Sequence, residues 1–255
     1  MAPSSLLIDR LEEAMRKTGC PICRLEHETA IRSIDSFLWE YTNDPGARKP
    51  INEAYGFCSA HTRMLVAIEL SSSGSVLGVN IIYALLAKNV SQELKNLSHR
   101  ETTKRKVQSI TRMLKLSTDH PITPSVLEPK GICPVCDQAE QSGMNSLSTL
   151  FEEFSTQDTR IREVYKQSNG LCLHHLQVGL HHFMAGHPAA ADFLILDTVH
   201  RLDLQQVQMQ EFIRKHNWAY REEELKPEER VAWLRTLTFF TGDPSEKFNH
   251  RVDNF

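Results

Sequence analysis

CPICRLEHETAIRSIDSFLWEY, Cys20 to Tyr41, opens with two cysteines three positions apart around a proline and runs directly into a helical pattern. Leu25, Ile31, Ile34, Phe37, Leu38 and Tyr41 recur at intervals that place them on one face of an amphipathic helix. A Cys-x-x-Cys knuckle is thereby fixed to the mouth of a long helix.

Upstream, Leu6, Leu7, Leu11 and Met15 describe an opening helix, capped by Ser4 or Ser5 and stopped by Gly19. Downstream, Asn43-Asp44-Pro45-Gly46 breaks the helix, a short helical segment follows, and Gly56 ends that segment. Cys58 then stands at the mouth of a helix carrying His61, Leu65, Ile68 and Leu70. A turn at Ser71–Ser75 leads into a long helical stretch from about Val76 to Leu116, with room for one break.

Beyond STDHPITPSVLEPKG, Ser117 to Gly131, the plan repeats. CPVC (Cys133 to Cys136) opens a helix through Met144, Leu147, Leu150, Phe151 and Phe154. A short helix ends near Gly170, and Cys172 opens the next. Pro188 to His216 matches the long helix of the first half, with proline in the first turn. One more helix is predicted from about Pro227 to Phe240. Abundant Leu, Glu, Gln, Arg and Lys, with aromatics at 7%, favour helix over strand. The fold class read here is all-α: a first metal-binding repeat over 1–116, a proline-containing linker over 117–131, a second repeat over 132–216 and a tail over 217–255.

The two halves overlay as Cys20, Cys23, Cys58, His61 and Cys133, Cys136, Cys172, His175, with 34 and 35 residues between the paired motifs. All six cysteines are used. Each half therefore offers the Cys3His set of a tetrahedral zinc ion, two ions per chain. Thiolates at helix N-termini gain from the unpaired amide donors and the helix dipole, which favours metal binding at neutral pH. Pro21 and Pro134 restrict the knuckles. Four protein ligands close the coordination sphere, so the sites read as structural and the protein as non-enzymatic, an interaction module or scaffold.

Three other readings use the same cysteines. Inert packing thiols do not explain two matched sets. Thiol–disulfide exchange belongs beside a βαβ pattern, which the chain lacks, and leaves the histidines unexplained. Iron–sulfur clusters, serving electron transfer or oxidant sensing, are the main alternative, although three closely spaced cysteines are missing.

Other features are weaker. His175 and His182 share a helix face, but solvent-facing or core histidines without metal account better for His174, His181 and His182. His27 and Glu28 lack the spacing of zinc deaminases, and neither a phosphate loop nor a nucleophile elbow is present. Arg214, Lys215, His216, Trp218 and Tyr220, followed by Arg221, have the chemistry of partner contacts, although a helix end with cations near its C-terminal dipole and a packed Trp explains them more simply. Ile81, Ile82, Leu85, Leu86, Leu194, Leu196, Val199 and Leu202 are read as a shared core.

Net charge −3 removes a global argument for nucleic-acid binding, and the basic run His99–Lys106 reads as a solvated helix face. The N-terminus lacks a signal-like apolar core, and the longest apolar run, Val76–Ala87, is far short of the roughly twenty residues of a membrane span. A soluble cytoplasmic protein with protein partners, and no membrane, is expected.

The two CPxC…GxCxxH halves, followed by IRKHNWAYREEELKPEERVAWLRTLTFFTGDP, resemble a bacterial family classed as a domain of unknown function over nearly the whole chain. Some of its members are loosely labelled transporter substrate-binding proteins. The resemblance implies a helical protein with these paired Cys/His sets and an IRKH(N/D) hallmark, and no reaction. Asn217 departs from the aspartate associated with that segment, and an amide cannot act as a carboxylate base.

Overall fold

A computed structural model describes residues 5–71, 76–112, 127–156, 159–220 and 222–242; for 97–112 only the helical backbone is described. The turn at 72–75, the linker as far as residue 126, the side chains of the basic run 99–106 and Arg221 lie outside the described residues.

The described chain is helical: α1 (Ser5–Met15), α2 (Pro21–Trp39), α3 (Pro45–Glu53), α4 (Ser59–Ser71), α5 (Leu77–Arg112), α6 (Pro134–Ser155), α7 (Arg160–Gln167), α8 (Leu173–Phe183), α9 (Pro188–Lys215) and α10 (Pro227–Thr241), with a 3-10 turn at Trp218–Tyr220. The long stretch after Val76 is one helix, α5, with no break. No described helix is long and apolar enough to cross a membrane.

Local chemistry sets the boundaries. Asp44 caps α3, its Oδ1 accepting the Gly46 amide at 2.7 Å, with Pro45 in the first turn. Gly56 and Gly170, at φ 101° and 76°, turn the chain out of α3 and α7 toward Cys58 and Cys172. At the end of α2, the Thr42 hydroxyl donates to the carbonyls of Phe37 and Leu38.

The chain divides into two compact units, which do not follow the consecutive segments expected from the sequence. The first unit combines Met1–Thr29 with Ala139–Phe255, and the second is Ala30–Gln138. The chain passes from one to the other within α2 and returns within α6. In the first unit, Ile22 and Leu25 from the start of α2 pack with Leu147, Leu150 and Phe151 from the later part of α6. In the second, Val135 from the start of α6 packs with Ala30, Ile34, Phe37 and Leu38 of α2. Each core thus joins the front of one long helix to the back of the other.

Leu25, Ile34, Phe37 and Leu38 are buried as the pattern predicts. Ile31 and Tyr41 are exposed, while Ile22 and Ala30 take core positions. The expected apolar face of α9 is also corrected: Leu194 is buried, but Leu196 and Val199 are exposed, and Ile82 and Leu86 of α5 belong to a different core.

Around α7 the first core is aromatic. Phe154 meets Tyr165 and Phe193 edge-on at centroid distances of 5.0 and 5.1 Å. Arg201 of α9 donates to the carbonyls of Tyr165 (2.9 Å), Lys166 (3.2 Å) and Ser168, and pairs with Asp197 at 2.5 Å. A cation thereby closes the negative end of α7.

The IRKH segment is tied down internally. Lys215 Nζ lies 2.8 Å from both carboxylate oxygens of Glu229, with the two side chains 6% and 5% exposed, and also donates to the Glu224 carbonyl at 3.0 Å. Glu229 accepts the Lys226 amide at 3.0 Å, so one carboxylate both caps α10 and fastens it to α9. Lys215 holds the Glu229 carboxyl below the ordinary carboxylate range.

A depressed carboxylate stabilises the fold above its unfolded value, about 4.3, and that contribution is lost as pH falls through the folded value. Lys215→Met keeps the apolar stem but leaves Glu229 buried without its cation. Thermal melts should show a lower melting temperature for the variant at pH 7, with the gap narrowing below about pH 4. Equal melting temperatures at pH 7 would show that the pair stabilises nothing.

Candidate metal centre

Four helices begin at a cysteine. The carbonyls of Cys20, Cys58, Cys133 and Cys172 accept the amides of Arg24, Thr62, Asp137 and Leu176 at 2.8 to 3.2 Å, the first hydrogen bonds of α2, α4, α6 and α8. Each cysteine therefore stands at a helix N-cap, and Cys23, His61, Cys136 and His175 stand three positions on, in the first turn of the same helices. Side chains at these two positions project from one helix end toward one point.

The eight side chains gather into two groups of four. Site 1 comprises Cys20, Cys23, Cys172 and His175; site 2 comprises Cys58, His61, Cys133 and Cys136. Within each group the ligand atoms all lie within 4.8 Å of one another.

The expected partition, Cys20 and Cys23 with Cys58 and His61, and Cys133 and Cys136 with Cys172 and His175, is therefore wrong. Each CPxC knuckle joins the Cys-x-x-His of the other half. The reason is that the chain passes from the first unit to the second within α2, before Cys58, and returns within α6, before Cys172. Cys58 consequently meets the start of α6, and Cys172 the start of α2.

The two sites have nearly superimposable dimensions. In site 1, His175 Nδ1 lies 3.2 Å from Cys23 Sγ, 3.3 Å from Cys172 Sγ and 3.6 Å from Cys20 Sγ. In site 2, His61 Nδ1 lies 3.2 Å from Cys58 Sγ, 3.3 Å from Cys136 Sγ and 3.6 Å from Cys133 Sγ. One sulfur pair in each is given by Cys23–Cys172 at 3.6 Å and Cys58–Cys136 at 3.7 Å. With metal–sulfur bonds of roughly 2.3 Å and metal–nitrogen bonds of roughly 2.0 Å, a tetrahedron has edges of about 3.8 Å between sulfurs and about 3.5 Å from sulfur to nitrogen. Either group could hold one four-coordinate ion through three sulfurs and Nδ1.

The approaches to each site are tied together. In the first unit the Gly19 amide donates to Asn169 Oδ1 at 3.0 Å, joining the segments before Cys20 and Cys172. The Tyr165 hydroxyl, fully buried, accepts the Leu171 amide at 3.1 Å, one residue before Cys172. In the second unit the amides of Lys130 and Gly131 both donate to the Glu53 carbonyl, at 2.7 and 3.3 Å, joining the segments before Cys133 and Cys58.

Glu26 and Gly143 were not anticipated. Glu26 Oε1 lies 3.1 Å from His175 Nε2, a charge contact without an aligned hydrogen bond. It occupies space over Gly143 of α6, where an added methyl would overlap the carboxylate. Metal ligation through Nδ1 leaves the imidazole proton on Nε2, facing Glu26. A helical glycine three turns into α6 and a glutamate one turn beyond the CPxC knuckle carried no visible signal, because their significance lies in a contact between distant parts of the chain.

As bare thiols the ligands share protons unevenly. Hydrogen bonds from Cys20 and Cys23 hold the Cys172 thiol far below its ordinary value, and those from Cys172 and Cys20 push Cys23 far above. Burial, then contact with Cys58, pushes Cys136 up to about 12. Burial by itself would lower His175, but contacts with Cys172, Cys20 and Glu26 outweigh it and raise the imidazole to about 12. A metal ion must displace these protons.

The tail residues do not join either site. Arg214 pairs with Glu211 at 2.8 Å and Glu223 at 2.5 Å and stacks on Tyr220 at 4.6 Å, and Lys215 is held by Glu229. His216 Nδ1 lies 2.7 Å from the Phe212 carbonyl, and Trp218 is exposed. Among the described residues, His182 is not gathered with His175 into a metal-type cluster.

The crossed partition is directly testable. Mild oxidation of the protein as purified, without prior chelation, should yield bridges such as Cys23–Cys172 and Cys58–Cys136, read by peptide mass spectrometry. A Cys23–Cys58 or Cys136–Cys172 bridge as the main product would contradict the observed groups.

No curated protein and no solved structure matches the chain. Residues 6–247 match a family of unknown function, DUF6062, and that span carries both Cys/His groups and the IRKH segment. The chain belongs to this family.

Proposed function

We propose that the protein is a non-enzymatic, two-zinc helical module in which each ion clamps the starts of two helices, and that the module serves as an interaction partner or scaffold for other proteins. The observation that carries the metal reading is the gathering of eight donors into two compact tetrads, each of single-ion dimensions. Three thiolates and one imidazole suit zinc, and four protein ligands leave no open position for water or substrate.

The same spacing speaks against the iron–sulfur alternative. A cluster distributes its four ligands over at least two irons, so ligands on different irons must stand farther apart than the edge of one coordination tetrahedron. In each tetrad all four ligand atoms instead lie within 4.8 Å of one another. For partner contact, the exposed Trp218 and the Arg214–Tyr220 stack supply the aromatic and guanidinium surface that protein interfaces favour.

Metal analysis of protein purified without added metal should give about two zinc per chain and a colourless sample. Chelation should lower the melting temperature and the helical signal, because metal-binding energy is folding energy in such sites. A brown sample absorbing near 400 nm, roughly the range of iron–sulfur clusters, would overturn the zinc assignment.

Acidity provides a separate check. Protons on Cys136 and His175, both held to about 12, must leave when metal enters, so uptake releases protons and affinity rises with pH. Titration calorimetry in two buffers of different ionisation enthalpy should detect that release. Binding enthalpies independent of buffer would show that the ligands bind without losing protons.

A further inference from the structure

The two tetrads share their dimensions but not their surroundings. In site 1, Cys20, Cys172 and His175 are each 2% exposed, leaving Cys23 half-buried. In site 2 only Cys133 is buried, and Cys58, His61 and Cys136 are half-buried.

Site 1 also has a cover. α10 ends at Gly242, a buried residue with φ 69° whose amide donates to the Thr238 carbonyl at 2.8 Å. A Cβ at this position would stand 3.0 Å from Cys23 Sγ and 3.1 Å from Cys172 Sγ. The backbone at the end of α10 therefore lies directly against two of the three sulfurs, and a side chain there would press on both. The helix beneath it is anchored by Lys215 to Glu229 and by the Thr236 hydroxyl to Gln205 Oε1 at 3.0 Å. On the opposite edge of the imidazole, Glu26 stands beside His175 Nε2.

Exchange at a saturated tetrahedral ion requires an incoming donor to reach the metal as a protein ligand leaves. Burial of the sulfurs and a backbone seated on them deny that approach. Partly exposed ligands permit it.

We propose that the two centres are unequal, site 2 being an exchangeable zinc site open to small chelating ligands and site 1 a locked one. This rests on the zinc reading given above. The second unit then holds its knuckle against α4 only while zinc is supplied, whereas the first unit keeps its ion. Such a chain reports zinc availability through one half of its fold and retains the other.

The test uses the full chain loaded to two zinc per chain. It is mixed with excess 4-(2-pyridylazo)resorcinol in the presence of iodoacetamide, and the alkylated cysteines are mapped by mass spectrometry at successive times. Zinc should leave in two phases of one ion each, the first at least about tenfold faster, with early alkylation at Cys58, Cys133 and Cys136. A single phase, or early alkylation at Cys20, Cys23 and Cys172, overturns the proposal.

Gly242→Asn supplies a second readout, since asparagine tolerates the left-handed backbone but places a side chain against the sulfurs. It should accelerate the slow phase and leave the fast one unchanged; an unchanged slow phase overturns the role given to Gly242. A chain that cannot be loaded, with all six cysteines alkylated from the start, instead overturns the zinc reading itself.

Discussion

Two helix N-termini aimed at one point is the constraint on which this structure depends. Each carries a partial positive charge of roughly half a unit and several amides without intrahelical partners. Bringing two together is unfavourable unless negative charge lies between them. Three thiolates and a neutral imidazole around a divalent cation carry a net charge of −1, which suits two such ends closely. The cysteine at each N-cap and the ligand three positions on are therefore an electrostatic answer to the helix geometry as well as a donor set. The same arrangement occurs at α2 with α8 and at α6 with α4.

The surrounding residues hold the helix starts in register by different means. The Asn169 side chain performs in the first unit what the Glu53 carbonyl performs in the second. Arg201 and Tyr165 fix the loop before Cys172 from a buried aromatic core, so the most enclosed tetrad also has the most determined approach. The hallmark IRKH segment has a structural role in this scheme. Lys215 anchors α10 through Glu229, and α10 ends in the glycine that lies against the sulfurs of site 1. Arg214 is likewise engaged with Glu211 and Glu223, and Ile213 and Trp218 are the segment's most exposed large apolar side chains.

Much of the site was legible because its chemistry is local. A Cys-x-x-Cys before a helix and a Cys-x-x-His at another helix mouth identify the donor residues whatever surrounds them, since the spacing alone places both side chains on one helix end. The contributions of Glu26, Gly143 and Gly242 were not legible. A mid-helix glycine reads as a weak propensity penalty until the carboxylate lying across it is seen. Gly242 reads as an ordinary helix stop, which it also is. At Ile31 and Tyr41 pattern and burial differ: α2 contributes to two cores, and Ile31, like Tyr41 beyond the helix end, belongs to neither.

The sequence by itself determined the all-helical class, the helix boundaries at proline, glycine and cysteine, and the identity of eight candidate ligands. These follow from periodicity and short-range stereochemistry, which depend on neighbours within a few turns. Tertiary structure alone decided which knuckle meets which Cys-x-x-His and how deeply each tetrad is enclosed. Matching internal halves suggested that each would complete its own site, but α2 and α6 each pass from one unit to the other, so each Cys-x-x-His shares a unit with the knuckle of the other half. The unit in which each helix begins, rather than similarity of sequence, selected the partners.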